Sequence, residues 1–221
     1  MAVTGALRGT LFVLVTAIVI SVVIEKARLP PAPLADTTDA TYFSEERAVR
    51  HQKYLAKGIG SRPVGSVANE VEAPEAIRTK IRSIGIESKI HRRHSGAGMQ
   101  MRTQNVDGTY HFSRKGMDSR GTTTYSGVQN VILRVSFGAE ADAQAVLVNA
   151  HYDSAYVSPG ANDDGIGVAA MLELVRCVAF GERMNHSIIF LFNGAEEMGL
   201  LGSHAFLEHE WAKTVKVFIN L

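Results

Sequence analysis

The stretches AVLVNA at residues 145–150 and SIIFLF at residues 187–192 carry the clearest indication of the fold. Both are short, continuously apolar runs, which are typical of strands buried on two faces. An apolar helical pattern at 165–180 separates them, and a second helical pattern at 200–209 leads to a third apolar run at 215–221. Strands that alternate with helices predict an α/β fold, a mostly parallel mixed sheet covered by helices on both faces.

Upstream of this alternation, the sequence predicts two helices and three more strands. Ser44 and the two glutamates after it offer a capped, acidic first turn for a helix that extends to about residue 57. A second helix is expected from 69 to 84, ending at Gly85. A glycine-, serine- and threonine-rich hairpin or surface loop is expected at 113–127. The predicted strands are 86–91, 106–112 and 128–135.

The N-terminus carries a membrane signal. No charged residue occurs between positions 10 and 24, and counting back past Arg8 gives a length that can span a bilayer. A cleaved signal peptide is the alternative, but Glu25 fits badly before a cut after Ala27. We therefore expect a cytosolic tip and transmembrane signal anchor at 1–28, a proline-rich linker at 29–43 and a folded domain at 44–221.

The charge balance excludes some classes of function. The formal net charge is +1, which leaves no electrostatic footprint for nucleic acid. The basic run KIHRRH at 89–94 is short, and we interpret it as the solvated edge of a strand. Cys177 is the single cysteine, so no intrachain disulfide can form.

Three polar clusters stand in order at or near the ends of the apolar strands. They are HYDS at 151–154, GANDDGIG at 160–167 and NGAEEMG at 193–199. In such a fold the carboxyl ends of the strands carry the active site. His151 can hold a metal through one ring nitrogen while Asp153 accepts a hydrogen bond from the other. Each cluster alone fits a polar strand end or a helix cap, but the three together indicate a metal site.

The carboxylates of these clusters suit a pair of cations. One aspartate of the second cluster can bridge two metals, with one oxygen for each. Glu196 and Glu197 would repel one another unless positive charge lay nearby, and a metal pair supplies that charge. Because neighbouring side chains point in different directions, one glutamate can ligate while the other serves as general base towards a water molecule.

Together with FNGAEEMGLLGSHAF at 192–206 and GSRPVGSVANE at 60–70, these motifs closely resemble the signature of the family-28 metallopeptidases. That family contains co-catalytic di-zinc aminopeptidases and carboxypeptidases. The membrane segment ahead of the domain is most similar to the family's endoplasmic reticulum branch. The resemblance implies a zinc-exopeptidase-like fold, peptide substrates and a place in the endoplasmic reticulum membrane with the peptidase domain in the lumen. There the triplet at 185–187 would offer Asn185 to an N-glycan.

The resemblance also implies a role for each residue of the site. His151 corresponds to a ligand of the first zinc, oriented by Asp153, and Asp163 corresponds to the carboxylate that bridges both zinc ions. Glu196 corresponds to the general base and, with Asp153, counts among the catalytic residues. Glu197 corresponds to a ligand of the second zinc. The implied reaction is hydrolysis of a peptide bond by a water molecule that zinc and Glu196 activate.

Residues 44–221 correspond to the N-terminal portion of such a zinc peptidase domain. The family has a further acidic ligand directly after the strand at 215–221 and another histidine ligand well beyond it. We therefore expect the sheet to be incomplete at its C-terminus and this fragment alone to be inactive. Two alternatives remain open: a glutaminyl cyclase-like enzyme with a single zinc, and a non-catalytic, membrane-tethered interaction domain.

Overall fold

The computed structural model describes residues 2–90, 98–113 and 120–221. The chain divides into two compact units, Met1–Pro33 and Leu34–Leu221, which are described separately. The first contains helix α1 (Ala2–Arg28). Within α1, Gly9–Ala27 has a mean hydropathy of 2.2, and by length and composition it can cross a membrane or act as a signal sequence.

The second unit is built on one five-stranded sheet. Its strands are β1 (Gly98–Ser113), β2 (Arg120–Ser136), β3 (Ala145–His151), β4 (Ser187–Asn193) and β5 (Val215–Asn220). Their order across the sheet is β1-β2-β4-β3-β5. Strand β3 pairs parallel with both β4 and β5, whereas β2 pairs antiparallel with β1 and with β4. The predicted mixed α/β sheet is confirmed, with its parallel part formed by the three strands after residue 144.

Helices pack on both faces of the sheet, as predicted. On one face lie α3 (Ala73–Ile90) and α5 (Gly165–Phe180), with α2 (Glu45–Lys53) against α5. On the other face lie α6 (Leu201–Phe206) and the 3-10 helix Glu210–Thr214. The remaining elements are the π-helical turns Tyr54–Ile59 and Ala68–Glu72 and the short helix α4 (Ala139–Asp142).

Alternate residues of the central strands explain the two helical layers. Successive side chains of a strand point to opposite faces of the sheet, so a continuously apolar strand requires cover on both. In β4, Phe190 and Phe192 belong to the core cluster beneath α3 and α5, whereas Ile189 and Leu191 belong to the cluster that contains Trp211. The SIIFLF run is therefore buried on both sides, as its composition predicts.

Helix α3 extends further than the sequence predicts. It continues past Gly85 to Ile90, so the strand predicted at 86–91 is wrong over 86–90, and position 91 lies outside the described residues. The side chains of Ile86 and Ile90 are exposed, which removes the apolar reason for a strand. Glu87 stabilises the extra turn, because it accepts a hydrogen bond from Ser83 and pairs with Arg176 at 2.7 Å. Of the basic run at 89–94, only residues 89 and 90 are described, and they are helical rather than the edge of a strand.

Of the two structures expected at 113–127, the hairpin is confirmed by the antiparallel pairing of β1 with β2, and the surface loop is wrong. Strand β2 begins at Arg120, so 120–127 is strand, and residues 114–119 lie outside the described residues. The β-branched residues Thr122, Thr123 and Thr124 pair with His111, Tyr110 and Thr109 across the hairpin. Threonine favours the extended conformation, and this tendency outweighs the glycine and serine content on which the loop prediction rested.

Helix α6 is shorter than the pattern at 200–209 suggests. Leu200 has a positive φ of 63°, and the helix ends after Phe206. The strands predicted at 106–112, 128–135, 145–150 and 187–192 lie within the observed ones, and the strand predicted at 215–221 ends one residue earlier, at Asn220. Helix 165–180 is observed with the predicted bounds. Ser44 caps α2 as predicted, because its hydroxyl oxygen accepts a hydrogen bond from the backbone N–H of Arg47.

His51 on α2 gives the fold a testable pH dependence. Burial, and then the positive charges of Lys80, Arg176, Arg50 and Arg47, lower the pKa of His51 to about 4. Since the unfolded pKa is near 6.5, protonation favours the unfolded state. The stabilisation is complete above pH 6.5 and declines as the pH falls towards 4.

We expect the free energy of unfolding to fall by up to roughly 2 kcal/mol between pH 7.5 and pH 5 through His51 alone. The substitution His51→Gln should remove that part of the decline in urea unfolding curves at the two pH values. His186→Gln is the matched control, because the His186 side chain is exposed. Identical pH dependence in all three proteins would contradict this assignment.

Candidate metal centre

The three polar clusters meet at the carboxyl ends of β3 and β4. His151 is the last residue of β3 and lies in register with Asn193, the last residue of β4. The loop at 152–164 leads from β3 to the start of α5, and the turn at 194–200 leads from β4 to α6. Asp163 and Glu196, from these two connections, both approach the imidazole of His151.

The His151 ring lies between carboxylates on both sides. Its Nε2 atom is 3.0 Å from Oδ1 of Asp163 and 3.6 Å from Oε2 of Glu196. Its Nδ1 atom is 3.4 Å from Oδ1 of Asp153 and 3.2 Å from the Asp153 backbone oxygen. In the neutral ring that a metal requires, a proton on Nδ1 has acceptors at Asp153, and the lone pair of Nε2 is then directed at the space shared by Asp163 and Glu196.

Asp153 does more than the sequence predicts, because it also holds the third cluster in place. Its side chain is fully buried. One carboxylate oxygen accepts a hydrogen bond from the backbone N–H of Glu196 at 3.1 Å, and the other accepts one from Glu197 at 3.0 Å. The same carboxylate thus orients the imidazole and fixes the turn that carries both glutamates.

The two neighbouring aspartates have different environments. Asp164 is buried and caps α5, because it accepts hydrogen bonds from the backbone N–H groups of Gly167 at 3.0 Å and His151 at 3.1 Å. The Asp163 side chain is 80% exposed and contacts His151. Asp164 therefore joins the end of β3 to the start of α5, while Asp163 is the carboxylate free to bind a ligand from solvent.

The electrostatics of the site favour a cation beside His151. Burial opposes protonation of His151, but the hydrogen bond and charge of Asp153, with Glu196 and Asp164, raise its pKa to about 9. Burial also raises the pKa of Asp164, to about 6, and raises the pKa of Glu196. Carboxylates raise one another's pKa values because their negative charges repel. A positive charge among them offsets this repulsion and stabilises their ionised forms.

The residues present fit part of a zinc site. Imidazole nitrogen and carboxylate oxygen are ordinary zinc ligands, and His151 and Asp163 already face one another. Glu197 is exposed, and its side chain makes no hydrogen bond or ion pair within the described part of the chain. Among residues 2–90, 98–113 and 120–221, no three histidine, cysteine, aspartate or glutamate side chains form a ready metal-binding group.

Sequence reasoning missed two residues next to the site. Asn193 is fully buried, and neither polar atom of its side chain has a hydrogen-bond partner among the described residues. Arg62 is fully buried and donates to the backbone of the loop after β3. The only available signal for Arg62 was its place in the GSRPVGSVANE motif, to which no role was assigned.

The sequence of this region matches a known family. The sequence profile of Peptidase family M28 matches residues 130–221, which contain every predicted site residue. This part of the chain belongs to peptidase family M28. The predicted family resemblance is confirmed, and the three clusters all lie within the matched residues.

A similar curated protein matches more of the chain. The putative endoplasmic reticulum metallopeptidase 1 of Schizosaccharomyces pombe is 35% identical over 201 residues, or 86% of this chain. The match covers 23% of that protein, so the chain spans about a quarter of the length of this curated relative.

Solved structures of related proteins share the fold. A zinc aminopeptidase from Bacillus subtilis superimposes with a TM-score of 0.60 at 18% identity, covering 81% of this chain and 69% of the other. The glutaminyl cyclase of Porphyromonas gingivalis superimposes with a TM-score of 0.57 at 21% identity, covering 83% and 59%. The fold predicted for the M28 family is therefore confirmed, and the fold is common to peptidases and cyclases.

Proposed function

We propose that the protein is a zinc-dependent exopeptidase, anchored in the membrane by α1, that hydrolyses peptide bonds. The observation that carries this proposal is the convergence of Asp163 and Glu196, from separate loops, on Nε2 of His151. The family match and the names of the relatives support the same reaction.

In this proposal His151 and Asp163 hold the first zinc, and Asp163 and Glu197 hold the second. When bound, zinc supplies Lewis-acid chemistry, which polarises the scissile carbonyl and makes water easier to deprotonate. Asp153 keeps the proton of His151 on Nδ1, so that Nε2 can offer its lone pair to the metal. The same carboxylate fixes the backbone of both glutamates.

Glu196 acts as the general base in this proposal. Its side chain is 31% exposed and therefore open to water. Burial, with the charges of Asp153, Glu197 and Asp163, raises its pKa, so it accepts a proton more readily than an ordinary glutamate. It can then return that proton to the departing amine, as a general base with a raised pKa does near neutral pH.

The membrane placement is proposed on separate grounds. Gly9–Ala27 is apolar enough to span the bilayer, and a relative carries the endoplasmic reticulum in its name. We place the peptidase unit in the lumen of that compartment, where Asn185 can accept an N-glycan. Asn185 is exposed in the turn before β4, which suits this modification.

The proposal is tested by zinc content and product analysis. Because residues 1–221 alone are expected to be inactive, the protein is prepared with the chain extended to the acidic and histidine ligands that the family resemblance implies beyond residue 221. That protein should carry two zinc ions, lose activity with a chelator and regain it with zinc, while releasing single residues from peptide ends. One zinc with conversion of N-terminal glutamine to pyroglutamate would support the cyclase alternative, whose fold is shared. Absence of zinc binding and of both activities would favour the non-catalytic interaction domain.

A further inference from the structure

Arg62 occupies an unusual position for a charged residue. It is fully buried, and no carboxylate lies within ion-pair distance of it among the described residues. Burial lowers its pKa, which the nearby charge of Asp153 partly offsets. A buried guanidinium without a direct counter-ion is costly unless its N–H groups are hydrogen-bonded, so its partners indicate why it is there.

Every partner of the Arg62 side chain is a backbone carbonyl. Nε donates to Tyr152 at 2.8 Å, Nη1 donates to Pro159 at 2.9 Å, and Nη2 donates to Gly160 at 3.2 Å. Nη1 also donates to Leu55 at 2.9 Å and to Gly60 at 2.6 Å. One guanidinium therefore joins both ends of the segment 152–160 to the turn after α2.

The backbone and side chain of Ser154 complete this attachment. Arg62 N–H donates to the Ser154 hydroxyl oxygen at 2.9 Å, and Ser154 N–H donates to the Arg62 carbonyl at 3.0 Å. The packing leaves no room at Gly160, where an added Cβ would lie 2.6 Å from the Cβ of Ser154 and 2.8 Å from Nη2 of Arg62. Gly160 also has a φ of 53°, so a substitution there would strain the backbone as well.

The segment 152–160 connects the two halves of the candidate metal centre. It begins immediately after His151 and contains Asp153. Asp163 follows in the short stretch between Gly160 and Gly165, whose ends are joined by the hydrogen bond from Gly165 N–H to the Gly160 carbonyl. We propose that Arg62 is a positioning residue that fixes Asp163 relative to the His151–Asp153 pair. This inference rests on the proposed function, because it assigns Arg62 to the geometry of that metal site.

Lysine cannot replace this arginine. An ammonium carries three donors on a flexible stem, whereas the guanidinium offers a rigid fork that reaches several carbonyls at once. Arg62→Lys keeps the charge and loses the fork. Arg134→Lys is the matched control, because Arg134 is also a buried arginine, but it donates to the Asp142 carbonyl and lies against Trp211.

The test compares the two variants by hydrogen exchange and by zinc affinity, measured in competition with a chelator. We expect Arg62→Lys to speed exchange of the amides at 152–165 more than elsewhere, and to weaken zinc binding by about 10–100-fold. Arg134→Lys should leave zinc affinity within about threefold, since supporting residues remote from ligands do not set their geometry.

Two results would overturn the role of Arg62. One is unchanged zinc affinity in the folded Arg62→Lys protein, and the other is a rise in exchange spread evenly over the chain, as for a merely structural residue. A wild-type protein that binds no zinc would contradict the proposed function instead. The hydrogen-exchange comparison would still support or overturn the attachment of 152–165 by Arg62.

Discussion

Glu196→Gln, made in the protein extended to the ligands expected beyond residue 221, should reduce kcat/KM for peptide hydrolysis by roughly 10³-fold, within the range that general bases contribute. The amide keeps the shape of the side chain but cannot accept a proton. The backbone N–H of residue 196 still donates to Asp153, so the turn should keep its structure. Zinc affinity should change by less than about threefold, because Glu196 is assigned as a base and not as a ligand.

The adjacent residue provides a contrasting variant. Glu197→Gln should weaken binding of the second zinc and lower activity through loss of metal, so that added zinc restores part of the rate. Glu182→Gln is the neutral control, because Glu182 is exposed in the turn before β4. If Glu196→Gln lost zinc and Glu197→Gln lost only the rate, the two assignments would have to be exchanged.

His151→Ala is expected to have the largest effect on metal binding, a loss of at least about 100-fold in zinc affinity, or about 2.7 kcal/mol. The imidazole is the only nitrogen donor in the assigned ligand set, and Asp153 holds it in the required orientation. Competition with a chromogenic chelator measures this directly. The protein should remain folded, because the side chain lies at the end of β3 rather than in the apolar core.

His186→Ala is the matched control for this variant. His186 is exposed just before β4, and its removal should leave zinc affinity unchanged. Equal affinities in wild-type and His151→Ala proteins would show that zinc binds elsewhere. That result would remove His151 from the metal site even if the protein proved to be a peptidase.

The parallel half of the fold is predictable from sequence because its signal is local and strong. AVLVNA and SIIFLF are apolar on both faces, and each is observed as a strand buried on both faces. The segments 86–90 and 120–127 are not predictable in the same way. The extra turn at 86–90 depends on the Glu87–Arg176 pair, which is distant in sequence, and strand 120–127 depends on pairing of its threonines across the hairpin.

In the candidate site, too, some features are predictable from the sequence and others are not. Type and spacing pointed to the three clusters as a metal site, since ligands and bases must be histidine or carboxylate at the ends of strands, and the family resemblance then implied the separate roles of His151, Asp163 and Glu196. Neither signal identified the double role of Asp153 or the carbonyl contacts of Arg62. Those roles depend on which backbone N–H and C=O groups the folded loops present, and hydrogen bonds to backbone leave little trace in residue type.

We propose that the loops after β3 and β4 form one zinc site around His151. Anomalous scattering from crystals of the zinc-loaded protein, measured on both sides of the zinc absorption edge, tests it most directly. We expect one anomalous peak next to Nε2 of His151 and the Asp163 carboxylate, and a second peak between the carboxylates of Asp163 and Glu197. A zinc peak away from these residues, or none in crystals grown with zinc, would contradict it.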